Sequence, residues 1–392
     1  MKKILFCLQT MVFGGVETEL ITVLKRFDQT EYELSLLLFY EQDEQIVNKI
    51  PKGVKIINLN LDKQYYFSSL PNLIKARVKK GQIFSAMGLA IKKALSISAT
   101  PACINIEKIP QIEGEYDFAV CYHMHSPITL RYVADKVKAK NKIAWIHNDF
   151  TTTGFAIDKY DKWLASYDKI IGVSERVSNE FINKCPKYAQ KTQTVHNVVD
   201  EENIKRLADD ISQVDPSFIN DKRFKIVTVG RFVEQKGFDI AIDACQLLKE
   251  QGAQISWYAI GYGKDEADMQ KAVCEKKLQD NFIILGRKNN PYPYMKTSDL
   301  YVQPSRHEGY PITLCEAKAL KKLIVCTDFA GASEQITNGE NGVIISGFDA
   351  KNLSDAILEL HNDIEHRKKL QANINLQSVK DGWEKIQKVF ME

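Results

Sequence analysis

An α/β protein of two domains is expected from this chain, each domain a parallel sheet with helices on both faces. Three observations predict it. Short apolar runs rich in Val, Ile and Leu alternate with longer helical patterns. Continuous apolar runs suit strands buried on both faces, as strands of a parallel sheet are. The pattern runs through once and restarts after Val199, and 392 residues are comfortable for two cores and long for one.

In chain order, the first set of strands is expected at Lys3–Leu8, Tyr32–Phe39, Val54–Asn58, Phe118–Tyr122, Lys142–Trp145 and Lys169–Val173. The second set is Phe224–Val229, Ile255–Ile260, Phe282–Leu285, Asp299–Gln303, Leu323–Cys326 and Gly342–Ile345. Helices are expected between them, among them Val16–Phe27, Phe238–Glu250 and Lys264–Lys277. The domains are therefore drawn as 1–198 and 199–374, with the junction near Asn197–Asn203. A last helix within about 375–392, Gln377–Met391 with Trp383, follows the second set.

Composition is that of an ordinary globular protein, and a net charge of +3 is too small to argue for nucleic acid. No run of eighteen apolar residues occurs, so no bilayer span is expected. The first residues, Met1 to Gln9, read as a buried strand and not as a signal peptide, because the apolar run is short and lacks a small-residue cleavage site. Eight cysteines without a Cys-x-x-Cys pair read as buried reduced thiols of a cytoplasmic protein. One segment stands apart. Lys63 to Ile106 holds seven Lys or Arg, no acidic residue, and interleaved aromatic and aliphatic side chains. It suits peripheral attachment to an anionic membrane surface, on the inner face of the cell membrane, and equally a pair of surface helices packed on the first sheet.

Ser305 to Ala319 carries the strongest chemical signal. Glu308 lies in a loop beside Gly309, Tyr310 and Pro311, and Glu316 follows with seven residues between them, inside the helix that Pro311 opens. Proline suits the first helical position, and the helix start then turns unpaired N–H groups and a positive dipole end toward the loop. Two carboxylates and an anion-binding helix end fit a ligand with hydroxyls and phosphates. Two solvated glutamates near a helix start would share the spacing. At the end of another strand stand Gly230, Arg231, Lys236 and Gly237, two cations at a backbone turn, which read as an anion site or as surface cations. A phosphate-binding P-loop pattern is absent. Gly14 and Gly15 end the first strand and open a helix, and Gly261-Tyr262-Gly263 forms a similar but incomplete glycine pattern. His123 and His125 would share a side of a continuing strand; with His147 they read as substrate contacts or as metal ligands, without a carboxylate or thiol at ligand spacing. No Asp-x-Asp occurs, so no metal is expected, and Arg231 with Lys236 stands where a divalent cation would otherwise neutralise phosphate.

Together these pieces resemble the retaining glycosyltransferases of the GT4 family, glycosyl transferases group 1, which have the GT-B fold of two Rossmann-like domains. The resemblance covers nearly the whole chain, in family order: Gly14-Gly15-Val16-Glu17, the strand end at His125, Val173-Ser174, Asn197-Val-Val-Asp200, Gly230-Arg231 with Lys236-Gly237, and Glu308-Gly-Tyr-Pro with Glu316. It implies an acceptor-binding first domain and a nucleotide-sugar-binding second domain facing a cleft, with the last helix returning to the first domain. It implies that Arg231 and Lys236 bind the donor diphosphate, Glu308 the donor sugar, Glu316 the ribose, and that His125 and Gly14–Gly15 line the reacting side. The sequence departs from the family at His307 and at Val198-Val199 before Asp200. The implied activity is hexosyl transfer from a UDP-sugar or related donor to a glycan or lipid-linked acceptor in cell-surface or capsular polysaccharide synthesis, without cofactor, metal or nucleic acid. A catalytically silent subunit that binds glycan or a partner protein, and a nucleotide-sugar epimerase, are the alternatives.

Overall fold

Among the residues that the computed structural model describes, which are 1–61, 106–150, 155–375 and 377–391, thirteen strands form two all-parallel sheets. The first sheet contains β1 (Lys2–Leu8), β2 (Tyr32–Leu38), β3 (Lys55–Asn58), β4 (Tyr116–Cys121), β5 (Ala139–Ile146), β6 (Lys169–Gly172) and β7 (Thr192–Thr194). The second contains β8 (Phe224–Val229), β9 (Ile255–Ile260), β10 (Phe282–Gly286), β11 (Leu300–Gln303), β12 (Ile324–Thr327) and β13 (Val343–Ile345). Every strand expected from the sequence is present. The addition is β7, whose Thr-Gln-Thr carries no apolar residue and so gives no periodic signal.

By contact, Met1–Gly172 with Ser178–Thr194 forms one unit, and Val173–Val177 with Val195–Glu392 forms the other. In the first unit the strand order is β3-β2-β1-β4-β5-β6-β7, and in the second β10-β9-β8-β11-β12-β13. Each order reverses once, between β1 and β4 and between β8 and β11. In open parallel sheets ligands bind beyond the carboxyl ends of the strands at such a reversal. The topology therefore nominates the loops after β1, β4, β8 and β11, and these loops hold Gly14–Gly15, His125, Gly230–Lys236 and Ser305–Pro311.

The second sheet is buried on both faces. Alternate residues of its strands, Ile226, Trp257, Leu300, Val302 and Val325, pack with helices Phe238–Glu250, Glu266–Glu275 and Ala350–Asn362. Their neighbours Val227, Tyr258, Tyr301, Ile324 and Cys326 pack on the other face with Leu314 and Ala317 of helix Ile312–Ala319 and with Tyr294 and Met295 of helix Tyr292–Thr297. This two-sided burial is why the strands read as unbroken apolar runs. In the first unit, Ile4–Leu8 of β1 and Phe118–Cys121 of β4 are buried likewise. Helix Gln377–Met391 is counted with the second unit, and its Gly382 lies so close to the linker that an added Cβ would stand 2.8 Å from the His196 carbonyl oxygen.

The seven described cysteines are free thiols. No described helix is long and apolar enough to cross a membrane. The basic segment Lys63–Ile106 lies outside the described residues except for Ile106.

Candidate functional site

At the reversal of the second sheet, two loops are stitched together. β8 runs out through Gly230 and Arg231, and a short 3-10 turn, Glu234–Lys236, precedes Gly237. Gly237 has φ +65°, and an added Cβ would stand 1.9 Å from the Pro304 carbonyl oxygen in the loop after β11. Only glycine meets both demands. The Gln235 side chain donates to the His307 carbonyl at 2.9 Å, and the Arg306 amide donates to the Gln235 carbonyl at 2.8 Å. The Arg306 guanidinium forks onto Asp239 at 2.8 and 2.6 Å. Lys236 and Glu308, far apart in sequence, are thereby brought into contact.

Glu308 is 7% exposed. Its Oε1 accepts from Lys236 Nζ, from Ser305 Oγ at 2.8 Å and from Gln303 Nε2 at 3.3 Å. None of these bonds reaches Oε2. Among the described residues the carboxylate is held through one oxygen, and no hydrogen bond to the other is formed. Lys236 has three N–H donors and gives one to Glu308. Arg231 is exposed, and among the described residues its side chain pairs with no carboxylate. The Lys236 stem lies over Gly230, where an added Cβ would be 3.5 Å from Cδ. The arrangement offers cationic N–H donors beside a fixed carboxylate, which suits a ligand carrying both phosphate and hydroxyl groups.

Helix Ile312–Ala319 begins beside this pair. Its cap, Pro311, has extended backbone (φ −65°, ψ 127°) and stands just before the helix, not at the first helical position expected from the sequence. The fixed proline φ tolerates both states, and the extended ψ turns the chain out of the loop. Glu316, in the second turn, is 7% exposed and accepts from the Tyr292 hydroxyl at 2.8 Å. Burial pushes its pKa up to about 7, against the opposing Tyr292 hydrogen bond. The Tyr310 ring is 2% exposed and stacks on the His196 imidazole, with centroids 4.6 Å apart. Asn197 donates to the Tyr310 carbonyl at 2.7 Å. The Gly309 carbonyl abuts Gly331, where an added Cβ would meet it at 2.3 Å.

The sequence reading did not single out Gln303, Ser305, Tyr292, His196 or Glu334. Glu334 accepts from His196 Nε2 at 3.0 Å and from the amides of Glu175 and Arg176 at 2.8 and 3.2 Å. Burial would raise its pKa, but His196 and the two amides outweigh burial and hold it below the ordinary carboxylate value. A buried Gln at the end of an apolar strand is the signal that would have found Gln303. The partners of Glu334 are set by tertiary structure alone.

In the first unit, Gly14 caps helix Gly15–Arg26, and its carbonyl accepts from the Thr18 amide at 3.1 Å and hydroxyl at 2.9 Å. The strand that was expected to carry the histidines ends at Cys121, and the following residues turn, with the Ser126 amide donating to the His123 carbonyl at 2.9 Å. Strand alternation therefore does not orient His123 and His125, although their rings lie 6.1 Å apart. His125 stacks on Phe150 at 4.6 Å. Burial first, and His123 second, push its pKa down to about 3, so the ring is neutral near pH 7. Buried His147 is displaced in the same direction for the same reasons, and its Nδ1 stands 4.0 Å from Glu19. No group of metal-ligating side chains is present among the described residues.

Residues 209–377 match the family described as Glycosyl transferases group 1. The chain is 32% identical over 144 residues to the amylovoran biosynthesis glycosyltransferase AmsK of Erwinia amylovora, a match covering 35% of each chain. It is 26% identical over 181 residues to the capsular polysaccharide biosynthesis glycosyltransferase CapM of Staphylococcus aureus, covering 44% of this chain and 47% of that one. The matched stretches thus span between a third and a half of these relatives. Over its full length the chain superposes on the crystal structure of Anabaena HepE in complex with UDP-glucose, with a TM-score of 0.73, 16% identity and 100% of both chains covered. That likeness shows the fold, which is GT-B.

Proposed function

We propose that this chain is a retaining glycosyltransferase that transfers a hexosyl group from a nucleoside diphosphate sugar, a UDP-sugar, to a glycan or lipid-linked acceptor in cell-surface polysaccharide synthesis. The observation that carries the reading is the meeting of Lys236 and Glu308 at the sheet reversal of the second unit, where the loop from Gly230 to Lys236 also carries Arg231. The family match over 209–377 and the polysaccharide-building relatives support it.

In the reaction the bond between the anomeric carbon and the donor phosphate oxygen breaks. The acceptor oxygen forms its bond to the same face of that carbon, and its proton passes to the departing phosphate. Negative charge therefore grows on the leaving diphosphate, where Arg231 and the remaining N–H groups of Lys236 meet it. This pair takes the place of a divalent cation. Glu308 accepts from a donor-sugar hydroxyl through Oε2. Glu316 accepts from the ribose hydroxyls, and the backbone at Gly230 and from Gly309 to Pro311 lies along the donor. In the first unit, Gly14, Gly15 and His125 are the candidate substrate-contacting residues, with His125 as a neutral ring able to donate or accept.

The test is hydrolysis of UDP-, GDP- and ADP-sugars by the purified chain, repeated with E308Q and K236A. Each substitution is expected to lower the rate on the order of 10²–10³-fold, as for loss of one preorganised electrostatic group. Wild-type rates in both variants would overturn the proposal.

A further inference from the structure

Gln303, the last residue of β11, is 1% exposed and sits behind Glu308. Its Oε1 accepts from the Tyr301 hydroxyl at 2.6 Å and from the Thr313 hydroxyl at 3.0 Å. Its Nε2 donates to Ser305 Oγ at 2.7 Å and to Glu308 Oε1 at 3.3 Å. An ionised carboxylate only accepts, so the amide must turn its nitrogen, not its oxygen, toward Glu308. In that orientation the two hydroxyls on the other side donate to the amide oxygen, and the buried Tyr301 phenol, its pKa raised by burial, stays protonated to donate. Ser305 in turn donates to Glu308 Oε1 at 2.8 Å. The bonds that Gln303 and Ser305 give to Glu308 thus both fall on one carboxylate oxygen.

We infer that Gln303 is a positioning residue. Its locked amide, directly and through Ser305, pins Oε1 of Glu308 and so aims Oε2 at the reacting sugar. This rests on the function proposed above and adds to it a residue that does not touch substrate. An apolar side chain of the same size would fill the space, remove one of the three bonds to Glu308 Oε1 and take from Ser305 Oγ the donor that orients it, so that the carboxylate is held less closely. A polar chain this deep in a strand otherwise made of Leu300, Tyr301 and Val302 has no packing reason to be glutamine.

The test measures hydrolysis of UDP-glucose, UDP-galactose, UDP-N-acetylglucosamine, GDP-mannose and ADP-glucose, and binding of UDP, GDP and ADP by calorimetry. For the donor that the wild type hydrolyses, Q303L is expected to lower kcat by roughly 10–100-fold, the scale of a small misplacement of a reacting group. Nucleotide affinity should stay within about twofold, because the nucleotide is held elsewhere. In an E308Q background Q303L should have no further effect, since both changes remove the same action. Y301F, which removes one hydroxyl from the Gln303 oxygen, should give a smaller loss of the same kind, and carries the comparison if Q303L does not fold. A wild type that hydrolyses none of the donors overturns the proposed function and this inference with it. An active wild type with an unaffected kcat in Q303L or Y301F, or an equal loss in the E308Q background, overturns the positioning role alone.

Discussion

Glu308 and Glu316 are alike on paper, two glutamates eight positions apart, and the structure makes them different groups. Glu308 meets Lys236, whereas Glu316, among the described residues, meets the Tyr292 phenol, and burial raises its pKa from the ordinary 4.5 to about 7. That displacement has a stability consequence with a definite sign. Between the unfolded value and about 7 the folded state holds a proton that the unfolded chain has released. The folded form is therefore favoured below the unfolded pKa, and the advantage is lost as pH rises through the folded pKa. The displacement corresponds to about 3 kcal/mol. In urea titrations from about pH 5 to about pH 8, E316Q should gain stability relative to wild type toward pH 8; the buried neutral His125 and His147, which favour the folded state as pH rises toward the ordinary imidazole value, are common to both and cancel in the comparison. An unchanged slope in E316Q would assign the proton to another group. At this scale the sequence revealed the residue types but not their environments. The spacing of Glu308 and Glu316 is equally compatible with two solvated carboxylates. What separates them is Lys236, 72 positions away from Glu308 in sequence, and Tyr292 on another helix.

Elements were read more surely than side-chain contacts, because burial on both faces writes itself into a strand as an apolar run. The exceptions have local causes. β7 is three polar residues, Pro311 stands before its helix, and the His123–His125 segment turns where a strand was expected to continue. The loop after β8 was visible as glycine and cations, but its docking on the loop after β11 was not. That docking depends on Gly237, whose left-handed φ and contact with the Pro304 carbonyl exclude any side chain. G237A is expected to cost roughly 2–4 kcal/mol, combining left-handed strain with an atom driven into backbone. It should also lower donor hydrolysis by displacing Lys236. A melting curve and rate equal to wild type would mean that the two loops move apart without cost.

For the whole molecule, the sequence carried one expectation that lies outside the described residues, the basic, apolar stretch Lys63–Ile106. We propose that it attaches the protein to an anionic membrane surface, at about 1 kcal/mol per basic residue near the surface. The protein should float with vesicles containing phosphatidylglycerol and not with neutral ones, and charge reversal at Lys75, Arg77, Lys79 and Lys80 should abolish flotation. Binding unchanged by charge reversal would rule out the electrostatic attachment. By itself the sequence determined two α/β units with parallel sheets, their order along the chain, and the loops that carry glycine, cations and carboxylates. These follow from local periodicity and turn chemistry, which neighbouring residues decide. Tertiary structure alone decided that the sheets reverse beside those loops, that Lys236 clasps Glu308, that Gln303 stands behind it, and that Glu334 gathers His196 with the amides of Glu175 and Arg176. Each is a contact between distant segments, and only the pairing of strands in space brings them within hydrogen-bond reach.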